Sequence, residues 1–169
     1  MKNKARIAGI FYLVTFVAGS LGLVLGGLAT NLIASVAYIG VTVLFYQIFR
    51  PVNPSLSLLA ALFSLAGIVV GLVTSLNIAK VPINPLGFFG FYCLLIGYLI
   101  IRSTFLPRVL GVLMAIGGLS WLTFFSPSLT SQLNPYNLAP GILGEGILTL
   151  WLLIVGLNEQ GWMDQAGVK

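Results

Sequence analysis

Apolar residues run along this chain in six long blocks, and the breaks between them carry prolines, charges and asparagines. The blocks fall at 7–28, 32–49, 55–78, 86–101, 109–125 and 141–157. Each comes close to or exceeds the roughly 20 apolar residues with which a helix crosses a hydrocarbon core of about 30 Å. The prolines respect these limits. Pro51, Pro82 and Pro127 follow block ends, and Pro135 lies in a connection. Pro54, Pro85, Pro107 and Pro140 stand at or near first turns, where the missing N–H has no helical partner to lose. Asn53 and Asn84, each directly before a proline, are expected N-caps of the third and fourth helices. The pattern predicts an all-α chain: one membrane domain, a compact bundle of six transmembrane helices.

Composition makes the membrane the solvent. Fifty-nine per cent of the 169 residues are apolar and 7% charged, with a mean hydropathy of +1.08, against about 45–50% and 25% in soluble domains. Little chain is left over for a soluble domain. The basic start, Lys2, Lys4 and Arg6, followed by apolar residues, resembles a secretory signal, but the apolar run to Leu28 is longer than a signal core.

The net charge of +5 brings in topology and not nucleic acid, because the eight Lys and Arg are scattered and form no basic stripe. Positive residues in short loops stay on the cytoplasmic side. With the N-terminus inside, Lys2, Lys4, Arg6, Arg50, Arg102, Arg108 and Lys169 face the cytoplasm and Lys80 alone lies outside. Six spans then return the C-terminus to the cytoplasm. Trp121, Phe124, Phe125 and Tyr136 are expected as interfacial aromatics at the outer end, and Tyr46, Tyr98 and Trp162 at the inner end. The stretches 46–50 and 98–102, each running from tyrosine to arginine ahead of a proline, form a weak repeat.

Candidate chemistry is sparse. The chain has no histidine and one cysteine, Cys93, so no metal, cofactor or intrachain disulfide is expected. No catalytic elbow, phosphate loop or intramembrane aspartate pair occurs, and an enzyme is not expected. Two glycine pairs four apart, Gly22 with Gly26 and Gly67 with Gly71, are expected to pack helices, within one chain or in a homo-oligomer or membrane complex. Glu145 is the one acid inside a predicted span. At a helix centre a carboxylate costs roughly 2.5–3.5 kcal/mol on insertion scales, so it needs a partner or a purpose. Five residues after Pro140 it is about 7–8 Å along its helix, which places it toward the outer leaflet. The first expectation is a salt bridge to Lys80. The alternative is an outward-facing polar pocket, formed with Asn77, Thr74, Ser75 or Asn31, for a cation or small apolar solute. Tyr38, Thr42, Tyr46 and Gln47 are expected as interhelical hydrogen-bond partners.

The stretch FFGFYCLLIGYLIIRSTFLPRVLGVL at 88–113 resembles the prokaryotic membrane-protein family called domain of unknown function 4386. RIAGIFYL at 6–13, LFYQIFRPVNPSLSLLAALF at 44–63 and the segment 144–158 resemble it too. The resemblance implies a multi-pass protein of a bacterial or archaeal plasma membrane and carries no established activity. Tyr92 stands where members of the family often have histidine, and the connections after the first and third helices are shorter than the family implies. The reading is a multi-pass integral membrane protein, alone or as a membrane subunit or scaffold; the alternative is a small carrier or channel using a site near Glu145.

Overall fold

The computed structural model describes residues 1–25 and 27–167, with the side chains of all of them except 23–25. Among these residues the structure is helical and has no strand. Six longer helices, α1 (Lys2–Leu25), α2 (Leu28–Phe49), α3 (Pro54–Ser75), α4 (Leu86–Arg102), α5 (Arg108–Leu122) and α7 (Ala139–Ile154), are accompanied by two short ones, α6 (Pro127–Leu133) between α5 and α7 and α8 (Glu159–Ala166) after α7. Five segments are long and apolar enough to cross a membrane, and Leu86–Arg102 is a shorter apolar helix.

The ends of these helices follow local chemistry. Asn53 caps α3, its side-chain oxygen accepting from the Leu56 N–H at 2.9 Å, with Pro54 in the first turn. Asn84 does not cap α4, which begins one residue later after Pro85; its side chain accepts from the Leu86 N–H at 3.0 Å instead. α3 stops three residues short of the expected limit because Asn77 adopts φ +53°, a left-handed conformation that ends a helix. α7 likewise ends before 157 because Gly156 takes φ +79°. Pro127 does not merely follow a helix: with Ser126 as N-cap it opens α6. α8 begins at an Asn158 cap and carries Glu159 in its first turn.

The longer helices form a closed ring in the order α1, α2, α3, α4, α5, α7 and back to α1. Successive members are antiparallel, including α5 and α7 across the connection that holds α6, where Gly117 faces Gly141 and Gly144 faces Leu113. The ring's interior is filled by Tyr12, Phe45, Tyr92, Ile96, Met114, Leu148 and Leu152, each 1% exposed or less. Its outer face is apolar: Val36 is 67% exposed, Leu119 61% and Leu143 59%. A soluble monomer does not show an apolar surface that continues round the whole molecule.

Glycine sets how closely the ring is drawn together, most tightly between α4 and α5 and between α5 and α7. A Cβ at Gly97 would lie 2.7 Å from the Gly111 carbonyl oxygen, and one at Gly111 2.5 Å from that of Gly97. One at Gly118 would lie 2.8 Å from the carbonyl oxygen of Gly90. Two glycines seven apart on α4 thus face two glycines seven apart on α5. Of the expected packing positions, a Cβ at Gly67 would lie 3.1 Å from the Phe89 ring, one at Gly71 would make only ordinary contact with Pro85 at 3.8 Å, and one at Gly22 would lie 3.0 Å from the side chains of Thr30 and Asn31. Gly26 lies outside the described residues.

Candidate functional site

The basic residues divide between the ends of the ring. Arg6 near the start of α1, Arg50 after α2, Arg102 at the end of α4 and Arg108 at the start of α5 are exposed at one end. Lys80, in the connection from α3 to α4, is exposed at the other. Lys169 lies outside the described residues.

Glu145 is 6% exposed on the inner face of α7. The expected pair with Lys80 is not formed; the carboxylate is held by neutral donors from three other helices. The Trp121 indole N–H donates to Oε1 at 2.6 Å. Oε2 accepts from the Tyr12 hydroxyl at 2.8 Å and the Tyr38 hydroxyl at 3.2 Å. The two phenol oxygens are 3.3 Å apart, and their rings meet edge to face at 5.5 Å. Neutral donors satisfy a carboxylate without the cost of burying a second charge.

Each partner is positioned by its own helix. Tyr12 and Tyr38 stand near the middle of α1 and α2, where a phenol hydroxyl has no water and needs an acceptor. Trp121 reaches in from the last turn of α5, and Gly141 makes this possible: any Cβ there would occupy the space of the indole ring. Gly141 and Glu145, four apart, share one face of α7, so the ring rests on the first while its N–H meets the second. Gly144 brings α5 closer still, since a Cβ there would lie 2.6 Å from the Leu113 carbonyl oxygen.

Glu145 lies in the first half of α7, as its distance from Pro140 predicts. The expected place of Trp121 changes. Trp121 is 6% exposed and faces inward, whereas Tyr136, 81% exposed, and Phe125, 40% exposed, remain at the outer surface. The outward-facing pocket is not assembled either. Asn77 and Thr74 are exposed at the end of α3, and the Asn31 amide donates to the Ser75 hydroxyl at 3.4 Å, apart from Glu145. A cavity beside Lys2 and the α4–α5 connection and an apolar groove between α1 and α2, lined by Phe11 and Ile33, both lie away from the carboxylate.

The other polar side chains of α2 tie it to its neighbours. Thr42 and Ser64 hydroxyls lie 2.6 Å apart, joining α2 to α3. Gln47 accepts from the Lys4 ammonium at 2.7 Å, joining α2 to α1, and the Ser57 hydroxyl donates to the Tyr46 carbonyl oxygen at 3.1 Å. Tyr92 is buried beside Tyr38, ring centroids 5.8 Å apart, with a hydroxyl that has no partner among the described residues.

A second glutamate organises the end of the ring where α1 begins. The N-terminal ammonium lies 2.7 Å from the Glu159 carboxylate, and the Lys2 backbone N–H donates to it at 3.2 Å. These contacts hold the Glu159 carboxyl below the usual glutamate range. From the same short helix, the Trp162 indole N–H donates to the Ile48 carbonyl oxygen at 2.9 Å, and the Gln165 side chain accepts from the Thr104 N–H at 2.9 Å. α8 therefore bridges the beginning of α1, the end of α2 and the α4–α5 connection, and puts both ends of the described chain on one face of the ring.

The family model described as Domain of unknown function (DUF4386) matches residues 20–83 and 84–156, most of the chain. An uncharacterized protein of Archaeoglobus fulgidus is 30% identical over 125 residues, which are 69% of this chain and 75% of that relative. No solved structure matches the chain.

Proposed function

We propose that this chain, which belongs to the family described as Domain of unknown function (DUF4386), is a six-span protein of a prokaryotic plasma membrane, with both termini cytoplasmic. It acts as a membrane subunit or scaffold and not as an enzyme. The observation that carries the reading is the closure around Glu145: the acid that an insertion cost makes conspicuous is engaged by Tyr12, Tyr38 and Trp121. Its partners hold four helices of the ring together, which is a structural task.

Support for the sixth span comes from α4. Its 17 residues are about 25 Å of helix, at the lower limit for crossing a bilayer core, and it packs between α3 and α5 as a full member of the ring. Support for the orientation comes from the arginines, gathered at the end that carries α8, with Lys80 opposite.

Membrane-impermeant maleimide tests the topology in intact cells, in a Cys93→Ala background. Gln160→Cys should label only after permeabilisation and Gln132→Cys should label at once; the reverse pattern overturns the orientation. Proteoliposomes test the role. They should stay tight to protons and alkali cations, and a flux that Glu145→Gln abolishes would sink the structural reading.

A further inference from the structure

Where α1 begins, α7 ends and the α4–α5 connection passes between them, the ring carries a cavity of about 480 Å³. Phe105, Leu106 and Val155 give it apolar walls, and Lys2, Trp151 and Asn158, whose side chains carry nitrogen donors, are also in its lining. The volume falls within the range of small-ligand sites. It lies at the end of the ring that carries most of the basic residues, which on the membrane reading is the headgroup layer.

The donors are free to serve a ligand. The Lys2 ammonium and the Trp151 indole N–H have no acceptor among the described residues. Asn158 uses its side-chain oxygen to cap α8, accepting from the Gly161 N–H at 3.2 Å, and keeps its amide N–H groups. The Lys2 stem lies across Gly156, where a Cβ would come within 3.0 Å of its Cγ, so the side chain runs along the cavity wall. The surrounding charges favour an anion. Glu159, the one acid beside Lys2, is paired with the N-terminal ammonium, and the Arg6 guanidinium donates to the Ile154 carbonyl oxygen at 3.4 Å, covering the negative end of α7. Lys2 and Arg6 remain as cations without an acidic partner among the described residues.

We infer that this cavity binds the headgroup of an anionic glycerophospholipid: the phosphate between Lys2, Trp151 and Asn158, the first acyl carbons against Leu106 and Val155. Basic and aromatic side chains at a helix end, beside apolar walls, match both parts of such a lipid. The inference rests on the membrane reading above, and its test leaves the labelling pattern untouched, so the two fail separately.

Native mass spectrometry of the purified protein in mild detergent, with phosphatidylglycerol and phosphatidylcholine of identical acyl chains, reads the preference. Wild type should retain phosphatidylglycerol about fivefold better, the factor expected of one basic residue near a headgroup. Lys2→Gln should remove that preference and Trp151→Phe should weaken it. Lys4→Gln, whose lysine is engaged by Gln47, should leave it intact. Equal retention of the two lipids by wild type overturns the site. So does an equal loss in Lys2→Gln and Lys4→Gln, which would mean diffuse surface charge. Displacement of the lipid by millimolar inorganic phosphate would also overturn it, since the site would then serve a free anion.

Discussion

Glu145 and Glu159 both tie distant parts of the chain together, with different donors and in opposite surroundings. Each joins parts of the chain more than a hundred residues apart: Glu145 joins α7 to α1 and α2, and Glu159 joins α8 to the chain's first residues. Glu145 is buried and its donors are neutral; Glu159 is 51% exposed and its main donor is an ammonium. Formal charge pairing would favour Glu159. Solvent reverses that order, because an exposed pair exchanges one set of hydrogen bonds for another with water and is screened by salt. A buried acceptor leaves its donors with nothing when it goes.

Removing the buried member should therefore have the largest effect. Glu145→Ala strands the Tyr12, Tyr38 and Trp121 donors and opens a void, at an expected cost of about 2–5 kcal/mol in thermal or detergent-induced unfolding. Glu145→Gln keeps the volume and one acceptor but turns N–H groups toward a donor, for about 1–2 kcal/mol. Lys80→Ala should change stability by less than about 0.5 kcal/mol. A Lys80 effect as large as that of Glu145 would restore the salt bridge expected from sequence.

The next effect tests how the buried set is assembled. Gly141→Ala puts a methyl group where the Trp121 indole lies, so either the ring or α7 must shift. The expected cost is about 1–3 kcal/mol, with a change in tryptophan fluorescence as the indole leaves the carboxylate. Gly71→Ala, with only ordinary contacts, should be neutral within about 0.5 kcal/mol by the same measurement. Equal costs at the two positions would mean that helix glycines matter here for general packing and that Gly141 has no special part in seating Trp121.

The helical blocks and the special standing of Glu145 were legible in the sequence because both rest on one-dimensional signals: apolar length, proline position and a lone acid. Its partners were not, because they depend on which helix faces which. Lys80 looked like the natural partner on the assumption that charge seeks charge, and Trp121 looked interfacial because it lies near a helix end. A clue was present in the position of Tyr12 and Tyr38, whose hydroxyls fall mid-span and need acceptors where Glu145 is the only acid. The glycines were read at a spacing of four, as in a close-packed membrane dimer. The tightest approach between α4 and α5 uses a spacing of seven, Gly90 with Gly97 and Gly111 with Gly118, which shows only once the two helices are set antiparallel. α8 lay hidden for another reason. It is short and polar, and its role comes from Glu159, Trp162 and Gln165 bonding to distant backbone and to the N-terminus.

The smallest effect belongs to the exposed glutamate, and its pH dependence identifies it. Because the N-terminal ammonium and the Lys2 N–H hold the folded-state Glu159 carboxyl below its ordinary range, the folded chain binds a proton there less readily than the unfolded chain. The contact therefore contributes its full stabilisation at neutral pH. The contribution declines as acid passes first the ordinary glutamate value of about 4.3 and then the lower folded one. Glu159→Gln should lower the unfolding temperature slightly at pH 7 and low salt, and wild type and variant should converge as the pH falls below about 4 or as salt is raised. A gap that persists in acid would mean that Glu159 holds α8 through hydrogen bonds that survive protonation, and the contrast with Glu145 would then be one of burial alone.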